Sequence, residues 1–460
     1  MVFQLPGVKF DLDTIKKYDT PTPRYTSYPP ATQLSAAFTE GDFQAAIATS
    51  NQRKSPLSLY FHIPFCQSAC YFCGCNVVIS NNKNIAQPYL DYLVRDIKNT
   101  ASKISPDRIV DQIHWGGGTP NYLSLEQVEL LWESINRHFT INPKAEISIE
   151  INPRSIDKNY IFALREIGFN RISFGIQDFN RQVQVAVNRV QPDEMLFDVM
   201  TWIKKAKFES VNVDLIYGLP HQTLQTFRET IKKTIDLDPD RIAVFNFAYV
   251  PWIKPVQKNI SQDALPTPQE KLEILKMTIE ELTSSQYLFI GMDHFAKPDD
   301  ELAIAQRNST LKRNFQGYTT KAQTELFGFG VTSISMLEDT YTQNHKELRD
   351  YYRAIDAGIL PTSKGIKLSW DDMIRRDVVM GIMSHLNLHK QDIEQKYHIS
   401  FDDYFFRELE ELKFLEKDGL VKLSSNHISI TEIGRLLVRN IAVIFDMYAT
   451  TQEQRFSRAI

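Results

Sequence analysis

Cysteine is scarce in this chain: there are four in 460 residues. No apolar run approaches the roughly 20 residues that span a bilayer, and there is no low-complexity tract or long block of like charge. A net charge of −4 argues against bulk binding to nucleic acid or an anionic membrane, while leaving room for a local basic pocket. Residues 1–18 carry Asp11, Asp13 and Lys16 where a signal peptide would have an apolar core. A reducing, cytoplasmic setting is therefore expected, which disfavours disulfides. Hydrophobic content of 43% and charged content of 23% are ordinary for a globular protein, and the length allows one large domain plus a smaller one.

All four cysteines fall in one ten-residue window: Cys66, Cys70, Cys73 and Cys75. Thiols gathered like this act together, as soft ligands or redox groups. A structural zinc site is the bland reading. Zinc is usually held by ligand pairs from separated segments, and no second pair exists here. Closely spaced thiolates on one loop instead suit an iron–sulfur cluster. C-x3-C-x2-C supplies three sulfurs, and a single glycine separates Cys73 from Cys75. That leaves little chain to carry both to different irons, so Cys75 is the expected non-ligand. Three ligands on a four-iron cluster leave one iron open, the arrangement of a catalytic site.

Short β-rich runs alternate with helical patterns. Strands are expected at residues 57–62, 109–115, 146–151, 171–176, 210–217 and 241–248. Helices are expected at 87–100, 124–139 and 224–235, with Ser124 capping and Gln127 three residues on. Strand–helix units in series imply α/β architecture, a parallel sheet or barrel with right-handed crossovers. Apolar strands suggest burial on both faces. Polar residues collect at the strand ends: Cys66, the Gly116-Gly117-Gly118-Thr119-Pro120 run, Glu150, Gln177, Asp214, and Asn246 with Ala248. Any one alone would read as a turn or a satisfied core group, but together they favour a shared site. The glycine run would let a backbone approach a ligand, or simply make a tight turn.

From about Ser369 helical patterns dominate, at 370–383 and 401–416. A hairpin turning at Ser424-Ser425-Asn426 and a helix over 432–448 follow. The order is winged-helix-like, but the stretch is not strongly basic, so a lid or packing domain is expected rather than a DNA reader. The expected parts are an N-terminal arm (1–52), a barrel with appended elements (53–365) and a C-terminal, mainly helical domain (366–460).

The cysteine spacing after a first strand, with Phe72 before the third cysteine, resembles the radical S-adenosylmethionine (SAM) superfamily. Further motifs are similar to the oxygen-independent coproporphyrinogen III oxidase (dehydrogenase) family. They are Arg24-Tyr25-Thr26-Ser27-Tyr28, Tyr60-Phe61-His62-Ile63-Pro64-Phe65-Cys66, His114-Trp115-Gly116-Gly117-Gly118-Thr119-Pro120, Gly175-Ile176-Gln177-Asp178, Asp214-Leu215-Ile216-Tyr217-Gly218 and Asn314-Phe315-Gln316-Gly317-Tyr318. The resemblance runs from about residue 15 to the C-terminus, with one departure: Asn121, where threonine is expected.

The resemblance implies an incomplete (β/α)6 barrel with a C-terminal helical domain. Cys66, Cys70 and Cys73 would hold a [4Fe–4S] cluster, with Cys75, His62 and Tyr60 at the catalytic centre. Tyr60, Gly117, Glu150 and Ile334 would contact one SAM. Phe72, Gly118, Thr119, Gln177, Arg189, Asp214 and Ala248 would contact a second. Arg24, Tyr25, Phe315 and Gln316 are substrate-side candidates. The implied reaction converts two propionates of coproporphyrinogen III to vinyls, giving protoporphyrinogen IX. The cofactors supply the hard chemistry and the protein supplies placement and electrostatics. A low-potential donor such as ferredoxin or flavodoxin, and a monomeric state, go with this reading. Rival expectations are a radical SAM heme chaperone, a heme-cleaving methyltransferase relative and a zinc-stabilised nucleic-acid-binding protein. The first usually lacks the fourth cysteine and the Arg24–Tyr28 arm, both present here.

Overall fold

The structure is a computed structural model and describes residues 7–18, 20–321 and 323–449. The outermost ends of the expected arm and C-terminal domain, residues 1–6 and 450–460, lie outside the described residues. The chain forms two compact units. One is built from residues 34–285 and 323–367, the other from residues up to 33, 286–321 and 368 onward.

The larger unit carries ten strands in one mixed sheet: β1 (Leu57–Ile63), β2 (Ile109–Gly117), β3 (Thr140–Ile151), β4 (Arg171–Gln177), β5 (Ser210–Tyr217), β6 (Arg241–Asn246), β7 (Glu325–Phe329), β8 (Ile334–Met336), β9 (Thr340–Asn344) and β10 (Thr362–Lys367). Strands β1 to β6 pair side by side in chain order and all in parallel. β7 joins the free edge of β1, also in parallel, and β8 to β10 continue antiparallel beyond it.

Helices make the crossovers, and their ends follow local chemistry. Helix Leu125–His138 starts on a reciprocal capping box: Ser124 Oγ accepts from Gln127 N at 3.3 Å, and Gln127 Oε1 accepts from Ser124 N at 3.1 Å. Its buried face is Val128, Leu131 and Ile135, at helical spacing.

Burial on both faces holds in β1, where six of seven residues are buried, but not in every central strand. From Ala145 to the end of β3, and along β5, buried residues alternate with half-buried ones. Phe61 stacks on Phe329 (5.0 Å) and Trp115 meets Phe169 edge-on (5.2 Å) in the core. The alternate residues form a polar face in register: Tyr60 beside His114 beside Ser148, and Glu150 beside Ser173 beside Asn212.

Several bounds differ from the sequence expectation. β3 begins six residues early, at Thr140 rather than Glu146, across a register shift opposite Val110 and Gln112. β6 stops at Asn246 because the Gln257 side chain takes up main-chain groups just beyond, at Ala248 O (3.2 Å) and Val250 N (2.6 Å).

In the smaller unit the expected helix over 401–416 divides at Phe405 into Phe401–Tyr404 and Phe406–Lys417. The hairpin Val421–Leu423 and His427–Ile430 forms as expected, and Asn387–His389 adds a third strand. The expected helix over 432–448 reduces to Val438–Ala442 and the single turn Val443–Phe445. At its start Gly434 is pressed to the Leu420 carbonyl, where an added Cβ would sit at 2.0 Å, and Thr431 Oγ1 takes its N–H.

Candidate active site

The cysteine loop leaves the carboxyl end of β1 and is closed at its neck. Residues Phe65–Cys66 pair with Val78–Ile79, and Val78 N donates to Pro64 O at 2.7 Å. Gly118 N donates to Ile63 O at 2.8 Å and locks the loop to the end of β2. On the far side, Tyr71 N reaches Val187 O (3.0 Å) and Asn188 Nδ2 reaches Ala69 O (2.7 Å). All four thiols face one cavity of about 260 Å³. Phe72, Gly117, Gly118 and Thr119 line it, as do Glu150, Gln177, Arg189 and Asp214.

Each sulfur has its own surroundings. Cys66 Sγ lies 3.2 Å from the Thr119 hydroxyl, and burial pushes its thiol up. Cys70 meets two guanidinium groups, Arg189 Nη1 at 3.5 Å and Arg154 Nη2 at 3.6 Å. Cys73 is held down by hydrogen bonding from Cys75, whose main-chain N lies 3.4 Å from its sulfur, and Cys75 is raised in turn. Closely spaced thiols on one loop, facing a cavity with polar walls, suit an iron–sulfur cluster with room for a small polar ligand beside it.

The polar face of the sheet forms one wall. Tyr60 stacks on His114 at 5.8 Å. His62 Nε2 lies 3.1 Å from the Asn76 carbonyl, which can only accept, so the proton sits on Nε2. Nδ1 then accepts from the Tyr60 hydroxyl at 3.0 Å. Burial lowers the His62 pKa, keeping the ring neutral, and burial raises Tyr60. His114 joins Ser148 (2.6 Å) to Glu150 (3.3 Å), and Glu150 also accepts from Gly117 N (3.3 Å). The glycines are required by crowding: an added Cβ would lie 2.6 Å from the His62 ring at Gly117 and 2.8 Å from the Pro64 main chain at Gly118.

The opposite wall holds unmet hydrogen-bonding capacity. Gln177 sits at φ 68, and its buried Oε1 has no partner. Arg189 Nη2 donates to Gly175 O at 2.8 Å, while its buried Nε is unpartnered. Asp214 accepts from Asn212 Nδ2 at 2.9 Å, and burial raises its carboxyl to about 7. Orphaned buried groups aimed at a cavity are costly unless a ligand meets them.

The matches to known proteins fit this geometry. Residues 60–234 match the radical SAM superfamily model, and residues 368–437 match the HemN C-terminal domain model. An oxygen-independent coproporphyrinogen III oxidase of Synechocystis is 57% identical across 100% of both chains. The chain belongs to the oxygen-independent coproporphyrinogen III oxidase family. The Escherichia coli member is 48% identical over 98% of this chain and 99% of its own. A solved structure described as coproporphyrinogen III oxidase (HemN) from Escherichia coli, a radical SAM enzyme, superposes with a TM-score of 0.92 at 47% identity. It covers 96% of this chain and 99% of that one. The chain is thus a SAM-dependent oxidative enzyme with a [4Fe–4S] cluster, and neither the chaperone nor the zinc-protein reading is favoured.

Other family positions lie outside the cavity lining. Tyr60 and His62 border it through Glu150 and Gly117. Ala248 is tied to Phe72, since Gln257 Nε2 contacts both carbonyls (3.2 and 3.4 Å). Ile334 is on β8; its carbonyl crowds Gly328, which pairs with Tyr60. The substrate-side candidates all fall in the smaller unit. Arg24 pairs with Asp293. Tyr25 is only 2% exposed and donates to Asp446 at 2.8 Å. Phe315 and Gln316 turn the hairpin Lys312–Asn314 and Gly317–Thr319, and Arg313 Nε on it donates to Tyr25 O at 3.2 Å.

Sequence reasoning noted Asn121 only as a departure from the family motif and missed Arg154 and Asn188. Asn121 Oδ1 accepts from Asn152 N at 2.8 Å, and its Nδ2 donates to the Asn152 and Ser155 carbonyls. Its place after the glycine run was a signal. Arg154 and Asn188 carried none, because only tertiary structure brings them to the cysteine loop.

Proposed function

We infer that the chain catalyses the oxygen-independent conversion of coproporphyrinogen III to protoporphyrinogen IX in heme biosynthesis. The carrying observation is the convergence of the cysteine loop, Glu150, Gln177, Arg189 and Asp214 on one cavity, in a chain that matches such oxidases end to end.

Cys66, Cys70 and Cys73 would hold the cluster, and Cys75 would stay off iron. Tyr60, Gly117, Glu150 and Ile334 would meet one SAM. Phe72, Gly118, Thr119, Gln177, Arg189, Asp214 and Ala248 would meet a second. When bound, cluster and SAM would supply one-electron hydrogen abstraction, here from the β-carbon of a propionate, and the substrate radical would then lose CO2 and pass one electron to an acceptor to leave the vinyl group. The chain's own groups place and shield. Glu150 and Asp214 are acceptors for an ammonium or ribose hydroxyls, Arg189 is a fork for a carboxylate, and the neutral His62–Tyr60 pair keeps the wall rigid.

Arg24, Phe315 and Gln316 are assigned to the substrate side, with Tyr25 anchoring the arm that carries Arg24. Support comes from the Arg313 link that joins arm and hairpin. The six parallel strands support an incomplete (β/α)6 barrel, and the three-stranded sheet with its helices supports a winged-helix-like C-terminal part. The division at 52/53 and 365/366, a monomeric cytoplasmic protein and a ferredoxin- or flavodoxin-type donor complete the reading. Among the described residues no helix is long and apolar enough to cross a membrane.

The test is anaerobic incubation of reconstituted protein with coproporphyrinogen III, SAM and a one-electron reductant. Protoporphyrinogen IX should appear; its absence with an intact cluster would refute the assignment.

A further inference from the structure

Two guanidinium groups reach one thiol of the cysteine loop, and only one of them has a place in the site described above. Arg189 serves the second SAM. Arg154 is not assigned to either SAM or to substrate, yet its Nη2 donates to Cys70 Sγ at 3.6 Å.

Arg154 is held from behind. It sits in the turn Pro153–Ser155 that follows β3. Asn152 Oδ1 accepts from both its main-chain N and its Nε, each at 3.2 Å. Asn152 is fixed in turn by Asn121, through the 2.8 Å bond to its N–H and the 3.1 Å bond to its carbonyl. Arg154 Nη1 donates to Asn188 O at 3.4 Å, and the Asn188 side chain grips the cysteine loop at Ala69 O. Its partners are thus an amide oxygen, a main-chain carbonyl and a sulfur. None is a carboxylate, so none cancels its charge. The Arg side chain stays protonated even when partly buried.

We propose that Arg154 is a positioning residue that sets the reduction potential of the iron–sulfur cluster through Cys70. A fixed positive charge donating to a ligand sulfur favours the more negative, reduced state. Cluster potentials respond to net charge and to hydrogen bonds on the sulfurs. Arg154 therefore raises the potential and brings the cluster within reach of a biological one-electron donor. Asn121 and Asn152 act one step further out by fixing the guanidinium. The proposal rests on Cys70 being a cluster ligand, which the iron content of Cys70→Ser tests on its own.

The experiment is an EPR-monitored redox titration of the reconstituted holoprotein without substrate, with iron content measured on the same samples. Arg154→Met should keep its iron but show about a tenfold lower ratio of reduced to oxidised cluster at a fixed potential, a shift of about 59 mV to more negative values. Arg154→Lys, which keeps the charge, should stay close to the parent. If Arg154→Met fails to retain iron, Arg154→Gln against Arg154→Lys decides. A lower potential in the glutamine variant supports the proposal, and equal potentials overturn it. A parent-like potential in an iron-loaded Arg154→Met protein also overturns it.

Discussion

If Cys66, Cys70 and Cys73 hold the cluster as proposed, serine at any one of them removes a ligand, whereas serine at Cys75 removes only a neighbour. The first three variants should purify without the brown chromophore, and Cys75→Ser should keep its iron while losing turnover. Absorption and iron content check this, and an iron-free Cys75→Ser protein would reverse the ligand assignment. Asp214 yields a pH prediction. Burial chiefly raises its carboxyl from 3.8 to about 7, Glu150 adds to the rise, and Asn212, Arg189 and His114 oppose it. The folded chain therefore binds a proton there that the unfolded chain releases. The resulting stabilisation is full below the unfolded value of 3.8 and is lost as pH rises through about 7. Urea midpoints of the apoprotein should fall more between pH 5 and pH 8 in the parent than in Asp214→Asn, and parallel profiles would refute the cause. The cysteine loop was legible in the sequence because its four thiols lie within ten residues. Arg154 and Asn188 were not, because they lie 84 and 119 positions along the chain from their partners Cys70 and Ala69 respectively.

Helix Leu125–His138 shows how far local chemistry reaches at the scale of an element. Its start was readable from Ser124 and Gln127 because both halves of the capping box lie within four residues. Ser124→Ala should lower unfolding free energy by about 1 kcal/mol and leave iron content unchanged, as measured by denaturant titration. The six parallel strands were readable too, since each is a short β-rich run bounded by turns. Their polar face was harder to see, because alternation in β3 and β5 becomes meaningful only once register sets Glu150 beside Ser173 and Asn212. The stretch 432–448 failed for the opposite reason. Its residues favour a helix, but at its start a tertiary contact of Gly434 with Leu420 overrides that preference.

For the molecule as a whole, the chain order hides how the smaller unit is assembled. Residues 1–52 are expected to form an arm, and within it Tyr25 and Tyr28 are buried residues packed with the C-terminal helices. The ties run across hundreds of residues: Tyr25 to Asp446, Arg439 Nη1 to Thr22 O at 3.1 Å, and Lys17 to Asp418 at 2.5 Å. No periodicity in a sequence encodes such pairings. The larger unit, in contrast, contains the whole cofactor cavity within itself. The central claim is that this cavity couples SAM cleavage to the making of vinyl groups, and the most direct measurement is stoichiometry. In anaerobic single-batch turnover, 5′-deoxyadenosine, CO2 and protoporphyrinogen IX are quantified together. The expected result is one 5′-deoxyadenosine and one CO2 for each vinyl formed, hence two of each per protoporphyrinogen. Protoporphyrinogen formed without SAM consumption, or SAM cleaved with no loss of CO2 from the substrate, would contradict it.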